Sequence, residues 1–97
     1  HDMKLVMAIV RDDFSPDVSG ALTEAGLSVT RVSSTGGFWR RGYVTLLVGV
    51  DDNDVDRALE VINAHAGPEM SPDLAPPGHP PHRATVFVIN VDRFARY

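Results

Sequence analysis

A chain of 97 residues with 43% hydrophobic and 23% charged content has the size and make-up of one small globular domain. Nine basic residues against thirteen acidic ones give a net charge of −4 and a pI near 5.4, a balance that argues against a duplex nucleic-acid binder. No apolar run approaches the roughly 20 residues of a membrane helix, and no cysteine is present to supply a disulfide, a thiolate metal site or a nucleophile.

The lack of cysteine and of a basic segment followed by an apolar core predicts a cytoplasmic protein without a signal peptide. His1-Asp2 ahead of Met3 reads as a vector remnant, which leaves 3–97 as a single domain.

Lys4 to Val10 is nearly continuous in apolar residues and reads as a strand covered on both faces. Ser15-Pro16-Asp17 predicts a helix start, with a capping hydroxyl, proline at the first helical position and an acid in the first turn. Val18, Ala21, Leu22 and Ala25 form one apolar stripe, and Gly26 ends the helix. Leu27 to Ser34 alternates as a second strand, with Leu27, Val29 and Arg31 on one face and Ser28, Thr30 and Val32 on the other.

The stretch Ser33-Ser34-Thr35-Gly36-Gly37-Phe38-Trp39-Arg40-Arg41-Gly42 then carries the most chemistry in the chain. Paired glycine amides form a concavity suited to an anion, aromatics stack on bases and arginines supply charge for phosphate. The plainer reading is a turn with Phe38 as a core plug.

Tyr43 to Val50 is the third strand, joined to the second by a connection short enough for a hairpin. Asp51-Asp52-Asn53-Asp54 precedes a second helix with Val55, Ala58, Leu59, Ile62 and Ala66 as its stripe and Gly67-Pro68 as its stop. This acidic run lacks the glycine and terminal glutamate of a calcium loop, so capping and dipole complementarity explain it. Pro68 to Arg83 holds six of the seven prolines and reads as a long loop. His79 and His82 within it have no further clustered ligand, so no metal is expected. Ala84 to Val91 is the fourth strand, and Asp92 to Tyr97 a short tail whose Phe94 and Tyr97 pack back on the body.

The order is β-α-β-β-α-β, with a faint repeat of Val18-x-x-Ala21-Leu22 in Val55-x-x-Ala58-Leu59. It predicts an α+β fold of ferredoxin-like type: a four-stranded antiparallel sheet with two helices on one face. The opposite face is apolar and predicts self-association.

Met3-Lys4-Leu5, Ala8-Ile9-Val10, Ser34-Thr35-Gly36-Gly37-Phe38, Arg40, Gly42, Thr45, Gly49-Val50, Ala84-Thr85-Val86-Phe87-Val88 and Arg93-Phe94 together resemble the PII-like receptors of cyclic di-AMP. The resemblance implies a homotrimer, a nucleotide pocket in the cleft between subunits, no catalysis and no cofactor. It also implies an unidentified protein target that senses ligand binding. It maps ligand contacts onto Thr30, the glycine-aromatic stretch Gly36, Gly37, Phe38 and Trp39, and Gly49. Thr35, Arg41, Tyr43 and Arg83 complete the candidate set, as neighbours able to supply hydrogen bonds, charge or stacking.

Three departures accompany the likeness. Gly26 and Tyr43 stand where the family has asparagines, and Ser28 where it has an arginine; His82-Arg83 also replaces a glycine pair. A missing partner for a buried polar edge costs about 1–3 kcal/mol, so several together amount to about two to five decades of affinity. Two accounts stand side by side. In one, Arg31, Arg41 or Arg83 restores charge and Trp39 and Tyr43 restore stacking. In the other, the trimer has changed ligand or lost it and serves as a protein-interaction module.

An RNA-binding domain shares the element order. Its motif needs aromatics where this chain has Thr45 and Met7-Ala8-Ile9, although Arg41-Gly42-Tyr43 imitates its start. An enzyme needs a nucleophile–base pair or a clefted acid, and no spacing here supplies one.

Overall fold

A computed structural model describes residues 2–32, 42–68 and 83–97. Strand β1 spans Met3–Arg11, helix α1 Ser15–Glu24, strand β2 Ser28–Val32, strand β3 Tyr43–Asp51, helix α2 Val55–His65 and strand β4 Ala84–Val91. One antiparallel sheet runs in the order β2-β3-β1-β4, and the two helices share one of its faces. This is the expected ferredoxin-like α+β arrangement.

The alternation of β1 and β3 dictates where the core lies. Residues directly opposed across an antiparallel ladder project to the same face. Val6 opposes Val48, Ala8 opposes Leu46 and Val10 opposes Val44, and all six are buried in one cluster with Val18, Leu22, Ala58 and Ile62 from the helices. At about 1.5–3 kcal/mol for each fully buried large aliphatic side chain, this layer is the main favourable term in the fold.

Each helix is preceded by a single 3-10 turn, Asp12–Phe14 before α1 and Asp52–Asp54 before α2. The two halves therefore repeat as strand, 3-10 turn and helix. The structural repeat is displaced from the one read in the sequence. Val18 and Leu22 follow Ser15 at the spacing with which Ala58 and Ile62 follow Val55, and these are the buried pairs. Val18 is thus equivalent to Ala58, and Val55 merely opens its helix.

Capping also differs from expectation. Phe14 occupies the N-cap position of α1, and Ser15 makes no side-chain cap; it is 2% exposed and its Oγ has no partner among the described residues. Asp54 likewise caps α2 without a side-chain bond, so the acidic run acts through its charge near the helix start and through the 3-10 turn. Gly26 and Gly67 end the two helices at φ +85° and +91°, the left-handed conformation that glycine tolerates. Asp2, set apart in the sequence reading, takes part in the fold: the Asp52 amide donates to its carbonyl at 2.9 Å.

Candidate functional site

The face of the sheet opposite the helices divides into two halves. On β1 and β4, Leu5 opposes Ile89, Met7 opposes Phe87 and Ile9 opposes Thr85. Phe87 and Ile89 are 50% and 42% exposed, so this half is bulky, apolar and bare. On β2 and β3 the side chains toward the Ser28 end are small, apart from Leu47. Ser28 opposes Gly49, Thr30 opposes Leu47 and Val32 opposes Thr45.

Ser28, Thr30 and Gly49 are exposed and adjacent, and Thr45 is buried beneath the same face. The result is a shallow floor with hydroxyl groups and an uncovered backbone, bounded by Leu5 and Leu47. The nearest atom to a side chain at Gly49 would be Met3 Cε, at 3.8 Å, so only the side chain's absence keeps the floor open.

The structure brings Thr30 and Gly49 together and sets Tyr43 and Arg83 apart from them. Tyr43 opens β3, opposite Arg11 and half-buried. At about 3.3 Å per residue it lies about 20 Å along the strand from Gly49. Arg83 immediately precedes β4, at the far edge of the sheet from β2. Three inter-strand steps of about 4.8 Å put it about 14 Å across from Thr30 within one chain. Thr35, Gly36, Gly37, Phe38, Trp39 and Arg41 lie outside the described residues, as do His79 and His82.

Arg31 and Arg83 are engaged elsewhere. Arg31 opposes the core residue Leu46, so it projects to the helix side, away from Thr30. There its Nη2 meets Asp12 Oδ1 at 3.3 Å, an exposed pair worth about 0–1 kcal/mol. Arg83 donates from Nε to the Gly67 carbonyl at 2.7 Å, from Nη1 to Asn63 Oδ1 at 2.8 Å and from Nη2 to the Asn63 carbonyl at 2.6 Å. These bonds satisfy carbonyls that the end of α2 leaves without helical partners.

Arg11, which the sequence reading passed over, performs the same task. Its Nη2 donates to the Ala66 and Pro68 carbonyls at 2.9 and 2.5 Å, and its guanidinium lies 4.8 Å from the centre of the Phe14 ring. Its signal in the sequence is slight: a cation closing an apolar strand just before an acidic turn.

Among the described residues no helix is long and apolar enough to cross a membrane. The family model described as "Cyclic-di-AMP receptor" matches residues 3–71. Among solved structures, a functionally unknown protein from Pediococcus pentosaceus ATCC 25745 is 32% identical, with a TM-score of 0.75 over 99% of this chain and 98% of its own.

Proposed function

The chain belongs to the cyclic-di-AMP receptor family, and on that premise we propose that it is a non-catalytic, PII-like signalling protein that binds cyclic di-AMP. The observation that carries the reading is the exposed floor of Ser28, Thr30 and Gly49, set beside a bare apolar half of the same sheet face. The apolar half packs against two further copies in a homotrimer, which removes Phe87 and Ile89 from water. The floor then lies at the edge of each junction, and the nucleotide sits there.

Each part has a physical role. The Thr30 hydroxyl bonds a base edge, and bare Gly49 admits a flat ring close to the backbone. Gly36 and Gly37 offer amides to phosphate and Thr35 a hydroxyl. Phe38 and Trp39 stack on adenine and Arg41 supplies charge, while Tyr43, at the far end of β3 from Gly49, stacks only across a junction between copies. Arg83 meets the floor only across a junction between copies, through the donors not spent on α2. The protein acts in the cytoplasm, with no part for duplex nucleic acid or membrane, and a protein target reads the liganded state.

A second reading is favoured by one observation. Arg31 faces the helices and three donors of Arg83 are bound to Asn63 of α2 and to Gly67 just beyond it, so neither stands over the floor in a single chain. On that reading the trimer takes a different nucleotide or none and works as a protein-interaction module.

Calorimetric titration with cyclic di-AMP, and with cyclic di-GMP, ATP and AMP in parallel, tests both. Micromolar or tighter binding of cyclic di-AMP at one per subunit, with the nucleotide recovered intact, supports the receptor. Absence of heat with cyclic di-AMP rejects it, and the other nucleotides then decide whether a ligand is bound at all. Sedimentation at three times the 10.5 kDa chain mass is expected.

A further inference from the structure

Strand alternation separates the first acid of Asp51-Asp52-Asn53-Asp54 from the other three residues. Val48 and Val50 belong to the buried cluster, so Gly49 and Asp51 project to the open face of the sheet. Asp51 opposes Met3 across the β1–β3 ladder, one step beyond the pair Gly49 and Leu5. Asp52, Asn53 and Asp54 instead form the 3-10 turn that leads into α2.

The Asp51 carboxylate has no structural task among the described residues. Asp51 is exposed and makes no side-chain cap to the turn it precedes. Neither ion pair of the described residues, Arg31 with Asp12 or Arg57 with Asp54, involves it. Lys4, the neighbour of Met3, projects to the other face and donates to Asn90 Oδ1. Met3 gives this end of the floor an apolar border, with its Cε 3.8 Å from where a Cβ at Gly49 would lie.

We propose that Asp51 is a specificity-determining residue of the nucleotide floor, accepting a hydrogen bond from the exocyclic amino group of the base seated on Gly49. The proposal rests on the receptor reading above and adds how the base is chosen. Thr30 and Asp51 flank Gly49 from opposite directions along the strands. At about 3.3 Å per residue and about 4.8 Å between strands they lie about 14 Å apart, a span that one purine bridges with a hydrogen bond at each end.

The chemistry of the carboxylate decides what it admits. An ionised carboxylate only accepts, so it attracts an amino group with the added strength of a charged hydrogen bond. It repels a phosphate, which leaves the base at this end of the floor and the phosphates away from it. It also repels a carbonyl in the position of the amino group, and a polar group that meets the wrong partner is what lets a site reject an analogue.

The test is calorimetric titration of the full chain with cyclic di-AMP and with cyclic di-IMP, in which a carbonyl replaces each 6-amino group. Wild type is expected to prefer cyclic di-AMP by about tenfold or more, the range of one charged hydrogen bond. Asp51→Asn is expected to bind the two within about threefold of each other, because an amide donates to a carbonyl as readily as it accepts from an amine. Asp52→Asn removes the same charge from the neighbouring turn and should keep the wild-type preference.

An undiminished preference in Asp51→Asn, or an equal fall in Asp52→Asn, overturns the role of Asp51 while cyclic di-AMP binding upholds the receptor. No heat with cyclic di-AMP in wild type overturns the receptor reading and this proposal with it. Should Asp51→Asn not fold, Asp51→Ala is read by the same ratio, since it neither accepts nor donates.

Discussion

Gly49 stands directly across the ladder from Ser28, on the sheet face that the helices leave open, and both residues are exposed. A glycine there has no need of an unusual backbone angle, since positive φ occurs only at Gly26, Gly42 and Gly67 among the described residues. Its value lies in what it leaves out. Replacing it with valine fits without a clash, as the nearest atom is the flexible end of Met3 at 3.8 Å. Gly49→Val is expected to hold or raise thermal stability, because valine suits a strand. It should weaken cyclic di-AMP binding at least about tenfold by filling the floor, roughly 1.4 kcal/mol. A thermal melt and a calorimetric titration of the same preparation separate the two effects.

Thr30 is exposed in β2 and makes no contribution to the buried cluster. Thr30→Val keeps its shape and removes its hydroxyl. The expected loss is that of one neutral hydrogen bond, about 0.5–1.5 kcal/mol, or about two- to tenfold in Kd. Unchanged affinity measured by calorimetry would remove Thr30 from the site.

Phe38 lies outside the described residues, and the role proposed for it rests on the resemblance read from its stretch of sequence. Stacking on a base is worth about 1–3 kcal/mol by alanine substitution. Phe38→Ala is expected to weaken binding at least about tenfold while the sedimentation coefficient stays that of the wild type.

Phe87 and Ile89 stand on the bare half of the sheet, well away from the buried cluster. Phe87→Glu should therefore leave the single chain folded and prevent its self-association. Sedimentation would show the 10.5 kDa species, and circular dichroism the wild-type secondary structure. A variant that still sediments as a trimer would exclude this face as the interface.

Ile62 is 1% exposed on α2 and packs beneath the sheet with Leu22 and Leu46. Ile62→Ala opens a cavity and is expected to cost about 2–5 kcal/mol, read as a shift of the urea midpoint at unchanged slope.

Much of the architecture was legible because its signals are local. The alternating apolar residues of β1 and β3, the stripes Val18/Leu22 and Ala58/Ile62, and the glycine stops at Gly26 and Gly67 each fix an element within a short window. The misreadings came from features that depend on three-dimensional register. Chemical similarity pairs Val18 with Val55, whereas burial follows distance from the helix start, so Val18 answers to Ala58.

Ser15 looked like a cap because of its type, yet the 3-10 turn shifts the helix entry by one residue and buries the hydroxyl. For the candidate site, the glycine-aromatic stretch and the Ala84–Val88 strand carry the family likeness only together, and strand alternation places Ser28 and Thr30 on one face. That Arg31 turns toward Asp12 and Arg83 toward α2 follows from pairings far apart in sequence, which no spacing rule reveals.

The position of β4 bears on the order in which the molecule is made. β4 pairs with β1 alone, at the edge of the sheet, and the fully buried cluster is built from elements that precede it in the chain, with only Ala84 and Val86 of β4 packed against it. On the ribosome, β1, β2, β3 and both helices are therefore free to close around their core before β4 emerges. Until it does, the edge of β1 remains an unpaired template beside the apolar Leu5, Met7 and Ile9. Arrival of β4 seals that edge and in the same stroke supplies Phe87 and Ile89. Nascent chains thus complete the bare face for partners only when the edge that invites mispairing has disappeared.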